Sequence, residues 1–180
     1  MTLPDQLTIA RALSVPVVVA LYEWEFAHHD YWATGVFIAA MATDWLDGRI
    51  ARRRGHTSPL GSLLDPVADK LLVLSVLIVL IDRDVFPAWM VVAIVAREFL
   101  VSGLRLAALE RGVVIAARDL GKLKTWSQAV AAAIGGFAAA GAWRHQIAWW
   151  ALLVAVVLTW LSGLDYARIA PGIFRSRVPA

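Results

Sequence analysis

The chain has 180 residues, of which 60% are hydrophobic and 17% charged, and it contains no cysteine. Its mean hydropathy of +0.67 excludes a disordered chain and argues against an ordinary soluble globule, which carries about 25% charged residues. The absence of cysteine excludes disulfides, thiolate metal sites and cysteine nucleophiles, and a formal net charge of only +3 on so apolar a chain suits anionic lipid headgroups better than nucleic acid.

Six hydrophobic segments follow one another, at about 7–26, 32–52, 60–81, 85–109, 122–142 and 146–169. Each is long enough for a membrane helix, which needs about 20 residues. The first four are not free of charge over ~18 residues, the usual signature of such a helix. The second, third and fourth reach spanning length only by including Asp44 and Asp47, then Asp65 and Asp69, then Arg97, Glu98 and Arg105. A soluble helical bundle is the competing reading. Against it, the segments lack the polar faces that soluble helices present to water. Their ends are also rich in tryptophan, at Trp24, Trp32, Trp89, Trp143, Trp149, Trp150 and Trp160, as interfacial belts are. The expected fold is therefore an all-α integral membrane protein of six transmembrane helices, one domain over 1–180, with no repeat or linker. The apolar run after Arg11 lacks the basic flank and small-residue cleavage site of a signal peptide, so it is read as the first membrane helix.

Basic residues set the expected orientation. The 49–58 connection carries Arg49, Arg52, Arg53 and Arg54; the 110–124 region carries Arg111, Arg118, Lys122 and Lys124; and the tail carries Arg168, Arg175 and Arg177. The alternate connections are nearly bare, with Arg83 in one and Arg144 in another. By the positive-inside rule the basic connections and both termini face the cytoplasm. Turns are expected at 54–59 and at Phe86-Pro87. Gly135, Gly136 and Gly141 read as close-packing positions between helices. His28 and His29 fall on the side away from the carboxylates, and His56 falls in a solvated cytoplasmic turn.

Four of the fourteen acidic residues concentrate in the second and third segments. Asp44 and Asp47 are spaced i, i+3, and Asp65 and Asp69 are spaced i, i+4, so each pair shares one helix face. At ~1.5 Å per residue, Asp44 lies ~18 Å from the outer end of its helix, leaving roughly 12 Å to the inner edge of a ~30 Å hydrocarbon core. Asp65 and Asp69 lie ~8 and ~13 Å in from the cytoplasmic end of theirs. All four can meet at one level, where an uncompensated carboxylate costs at least a few kcal/mol. Divalent cations relieve that cost, and oxygen-only ligands favour hard metals such as Mg²⁺ or Mn²⁺. Two metals on such a cluster suit phosphoryl-type chemistry, because they clamp the attacking and leaving oxygens. Gly48 and Gly61 leave room for a ligand, and the Arg52 fork matches a pyrophosphate.

The same residues compose Asp44-x2-Asp47-Gly48-x2-Ala51-Arg52-x8-Gly61-x3-Asp65-x3-Asp69. This resembles, at all eight positions, the signature of the CDP-alcohol phosphatidyltransferases. The resemblance implies six membrane helices, an active site on the cytoplasmic side of the cell inner membrane, divalent metals and a homodimer. It also implies transfer of a phosphatidyl group from a CDP-linked lipid to an alcohol, with release of CMP. By the same resemblance, Asp44, Asp47 and Asp65 are metal ligands. Asp69 is a metal-proximal general base that accepts the proton of the acceptor hydroxyl. Gly48, Ala51, Arg52 and Gly61 line the CDP site. Pro4-Asp5-Gln6-Leu7-Thr8-x2-Arg11 is similar to a further family element, with Asp5 where the family has Asn; Thr8 joins the CDP site and Arg11 keeps its place.

Ala96-Arg97-Glu98-Phe99, Ser102-Gly103-Leu104-Arg105 and Gly121-Lys122-Leu123-Lys124-Thr125-x2-Gln128 resemble the phosphatidylglycerophosphate synthase branch, which implies CDP-diacylglycerol and glycerol 3-phosphate as substrates. Arg105, Lys122 and Lys124, expected at cytoplasmic helix ends, are candidates for binding an acceptor phosphate. Positive-inside topology or headgroup contact accounts for them equally well. Arg97 is expected to be buried in a functional contact or an ion pair. Because neighbours in sequence point apart on a helix, Glu98 is expected to pair elsewhere. Arg118 is a further basic candidate. Other acceptors within the family are inositol phosphate, phosphatidylglycerol and serine. A divalent-cation transporter is the reading of a different class, disfavoured by the cytoplasmic-side carboxylates and the lack of inverted repeats.

Overall fold

The computed structural model describes the backbone of residues 3–54, 59–110 and 119–175, and the side chains of 10–43, 70–110 and 120–166. Every described element is an α-helix: α1 (Leu3–Glu23), α2 (His29–Arg54), α3 (Pro59–Asp82), α4 (Ala88–Glu110), α5 (Asp119–Ala139) and α6 (His145–Arg175). The six expected segments thus coincide with six helices. Proline punctuates their starts, with Pro59 opening α3 and Pro87 just ahead of α4, where a missing N–H costs nothing. Pro16 lies inside α1, and two residues before it the Ser14 hydroxyl donates to the Arg11 carbonyl at 2.7 Å.

Contacts among the helices fix their directions. The end of α1 meets the start of α2 through Tyr22 and Thr34, whose hydroxyls lie 2.9 Å apart. Arg83, just after α3, donates to the Tyr22 carbonyl and lies 4.0 Å from Asp30. In α5, a Cβ on Gly135 would fall 2.5 Å from Phe86 Cζ and 2.8 Å from Leu80, and one on Gly136 would strike Tyr22 and Thr34. The two glycines therefore do let helices approach, as expected. Gly141 does not: it has open space around it and a φ of +76°, so it serves the α5–α6 turn rather than packing. The other connections at this end also hold a left-handed residue, His28 and Asp84. Helices α1, α3 and α5 run toward this end and α2, α4 and α6 away from it.

The core joins all six helices, with Val18, Tyr22, Phe37, Leu72, Leu77, Leu80, Met90, Ile94, Ala131 and Leu152 buried. Helix α5 packs on α6, α2 and α3; α1 packs on α2 and α3; α4 packs on α3 and α6. The outward faces are apolar as well: Phe99 is 71% exposed, Leu100 66% and Trp24 74%, alongside Leu13, Val92, Leu106, Trp32 and Trp150. So broad an apolar surface is one that faces lipid or a partner. Among the described residues, only His145–Tyr166 is long and apolar enough to cross a membrane by composition alone. In α4, Arg97, Glu98 and Arg105 interrupt the apolar run, for reasons found in its packing.

Candidate active site

The signature positions divide between two helices. Asp44, Asp47, Gly48, Ala51 and Arg52 lie on α2, and Gly61, Asp65 and Asp69 lie on α3. The backbone alone relates their levels. Thr34 and Leu80 flank adjacent glycines of α5, so they lie at one height. Asp44 follows Thr34 by ten residues and Asp69 precedes Leu80 by eleven, so both positions lie ~15–17 Å below that height at ~1.5 Å per residue. Helical register brings positions 44 and 69 to the same depth on the two helices. The side chains of Asp5, Thr8 and the eight signature residues, and the whole of Arg118, lie outside the described residues. The chemistry of the donor set, four carboxylates and no sulfur or imidazole, fits a hard divalent cation.

Beside this level the described side chains build a buried polar cluster across four helices. Its centre is Glu98 on α4, 4% exposed. Lys124 of α5 donates to Glu98 Oε1, Arg97 Nη1 donates to the same oxygen at 3.2 Å, and Gln128 Nε2 reaches it at 3.4 Å. Lys70 Nζ, directly after Asp69 on α3, stands 3.7 Å from Glu98 Oε2 and donates to Ser102 Oγ at 2.6 Å. Two bonds reach α6, Arg97 Nη2 to Ser162 Oγ at 2.9 Å and Gln128 Nε2 to Thr159 Oγ1 at 2.8 Å. Gly163 makes room for this crossing, since a Cβ there would lie 3.1 Å from Arg97 Nε. The Glu98 charge is thus compensated, as burial demands, and three cations, Lys70, Arg97 and Lys124, share this one carboxylate.

Two expectations change here. Arg97 and Glu98 do bond despite being adjacent, because the long guanidinium folds back over the carboxylate, although Glu98 also pairs elsewhere as expected. Lys124 does not stand at an exposed helix end; it is 8% exposed and its ammonium is held by Glu98. Lys122, by contrast, is exposed near the start of α5. Arg105 is half-buried, with Nη2 donating to the Tyr166 hydroxyl at 2.8 Å and its guanidinium 5.1 Å above the Tyr166 ring. Its Nε, like that of Arg97, is buried without a hydrogen-bond acceptor among the described residues. Arg11 is 6% exposed. Sequence reasoning missed Lys70, Thr159, Ser162 and Tyr166 as members of this cluster. A signal existed for Lys70, a second charge beside Asp69 in an apolar helix, and for Gln128, one turn after Lys124.

Residues 1–161 match the family model for CDP-alcohol phosphatidyltransferase. The chain belongs to this family. It is 43% identical over 141 residues to the CDP-diacylglycerol–glycerol-3-phosphate 3-phosphatidyltransferase of Bacillus subtilis (strain 168), covering 72% of this chain and 73% of that one. A protein of the same name from Pseudomonas fluorescens is 38% identical over 140 residues, covering 74% and 68%. The cardiolipin synthase (CMP-forming) of Oryza sativa subsp. japonica is 36% identical over 148 residues, covering 74% of this chain and 45% of its own length. The family generally uses divalent metal ions.

Proposed function

We propose that this protein is an integral membrane enzyme that transfers the phosphatidyl group of CDP-diacylglycerol to glycerol 3-phosphate, yielding phosphatidylglycerol phosphate and CMP. The observation that carries this reading is the unbroken eight-position aspartate signature in a chain two of whose relatives, at 43% and 38% identity over most of its length, bear that activity in their names. Its six helices cross the inner membrane with both termini and the basic connections in the cytoplasm, supported by the charge distribution and the apolar outward faces. The whole chain acts as one domain, and two copies form a homodimer.

Asp44, Asp47, Asp65 and Asp69 would hold two Mg²⁺ or Mn²⁺ ions. Bound there, the metals would supply Lewis-acid polarisation of the pyrophosphate and neutralise charge developing on its oxygens. Arg52 pairs with the pyrophosphate through its fork, while Gly48 and Gly61 keep the approach open and Thr8 and Ala51 line the CDP site. Arg105 and the exposed Lys122 meet the acceptor phosphate; Asp5, Arg11, Arg97 and Arg118 are supporting candidates. A carboxylate oxygen of Asp69 takes the proton of the acceptor hydroxyl as its oxygen bonds to the lipid-side phosphorus, and the bond from that phosphorus to CMP breaks. Family membership leaves the cation-transport reading without support.

The test is CMP release by purified protein given CDP-diacylglycerol. Release should require glycerol 3-phosphate, stop on chelation and return with Mg²⁺ or Mn²⁺. CMP release that ignores glycerol 3-phosphate would contradict the acceptor assignment.

A further inference from the structure

Glu98 has more partners than a buried carboxylate needs for neutrality. Lys124 and Arg97 donate to it, Gln128 reaches it, and Lys70 stands 3.7 Å away. One pairing satisfies charge; the additional ones fix direction. They come from α3, α4 and α5, and Arg97 and Gln128 pass the connection to Ser162 and Thr159 of α6. The α3 partner is the residue immediately after Asp69, and it is secured twice, to Glu98 and at 2.6 Å to Ser102. A helix can turn about its axis unless something off the axis stops it. Buried Leu72, Leu77 and Leu80 hold the rotation of α3 in the core, and Lys70 extends that hold to the turn that carries position 69.

We propose that Glu98 and Lys124 are positioning residues, which act through Lys70 to hold the rotation of α3 and thereby the orientation of its aspartates. Lys124 thus serves the site without touching the acceptor phosphate, because its ammonium is already engaged inside the bundle. The inference rests on the reading of Asp65 and Asp69 given above and deepens it.

Kinetics of the full-length protein in vesicles test it, with CMP release read from the productive acceptor. A wrong acceptor assignment then shows in the wild type, whereas a wrong positioning assignment shows only in the variants. Glu98→Gln and Lys124→Met should each lower kcat by about tenfold or more while KM for the acceptor stays within about threefold, and Lys124→Arg should keep about half of kcat. The double variant Glu98→Gln/Lys124→Met should be about as slow as the slower single, because the two act as a unit. Lys70→Met, at a side chain 39% exposed, gives a readout where loss of the buried pair prevents folding; it should lower kcat with KM unchanged. A Lys124→Met variant with KM raised about tenfold and normal kcat would make Lys124 a phosphate ligand and overturn the proposal. Multiplicative effects in the double variant, or normal kcat in Lys70→Met, would overturn it equally.

Discussion

Asp69 carries two duties in this account, metal ligation and proton transfer, and the second depends on a carboxylate oxygen able to accept a proton. Asp69→Asn keeps the size of the side chain and removes that capacity. It should abolish CMP release while largely sparing nucleotide binding, measured by CDP-lipid or CMP titration; near-normal turnover would remove the general-base assignment. Arg105 should behave differently. Its guanidinium is oriented by Tyr166 through a 2.8 Å hydrogen bond and a ring 5.1 Å away, leaving donors for an anion. A charge-assisted hydrogen bond contributes about 1.5–3 kcal/mol, so Arg105→Gln should raise KM for glycerol 3-phosphate by roughly ten- to a hundredfold with little change in kcat. That KM effect, set against the kcat effect expected at Lys124, separates a group that reads the acceptor from one that orients a helix. Sequence alone shows that Arg97 and Glu98 are costly in an apolar setting and therefore have partners, while it puts Arg105 and Lys124 at cytoplasmic helix ends. It does not show which partners, because these depend on how far each helix is rotated. Lys124 finds Glu98 across a helix interface, and Arg97 finds its own neighbour by folding back.

The six helices were legible because apolar runs, prolines and charged connections mark them: the run at 85–109 becomes Ala88–Glu110, and Phe86-Pro87 becomes the turn before it. Glycine roles were legible only in part. A glycine in an apolar segment permits either a close approach or a left-handed turn, and position along the helix decides which. Gly135 sits against the Phe86 ring, so Gly135→Ala should cost about 1–3 kcal/mol through overpacking and lower the thermal midpoint in detergent. Gly103 has nothing within 4 Å, so Gly103→Ala should be neutral or stabilising by up to about 1 kcal/mol in the same measurement. Equal effects at the two positions would contradict the packing described for α5.

At the scale of the whole molecule, polar structure is split between two ends. One end is latched by Tyr22, Thr34, Asp30 and Arg83, and toward the other end Glu98 gathers Lys70, Arg97 and Lys124. Because the native chain has no cysteine, a single introduced one reports its side of the membrane without background. His28→Cys should react with an impermeant maleimide in intact cells, and His56→Cys only after the membrane is opened; the reverse pattern would invert the topology. The identity of the acceptor is decided by a panel of alcohols. Purified protein with CDP-diacylglycerol and Mg²⁺ is offered glycerol 3-phosphate, inositol phosphate, phosphatidylglycerol or serine, and the lipid product is identified by mass. The account predicts phosphatidylglycerol phosphate, formed mole for mole with CMP, from glycerol 3-phosphate; product from one of the other alcohols and none from glycerol 3-phosphate would contradict it.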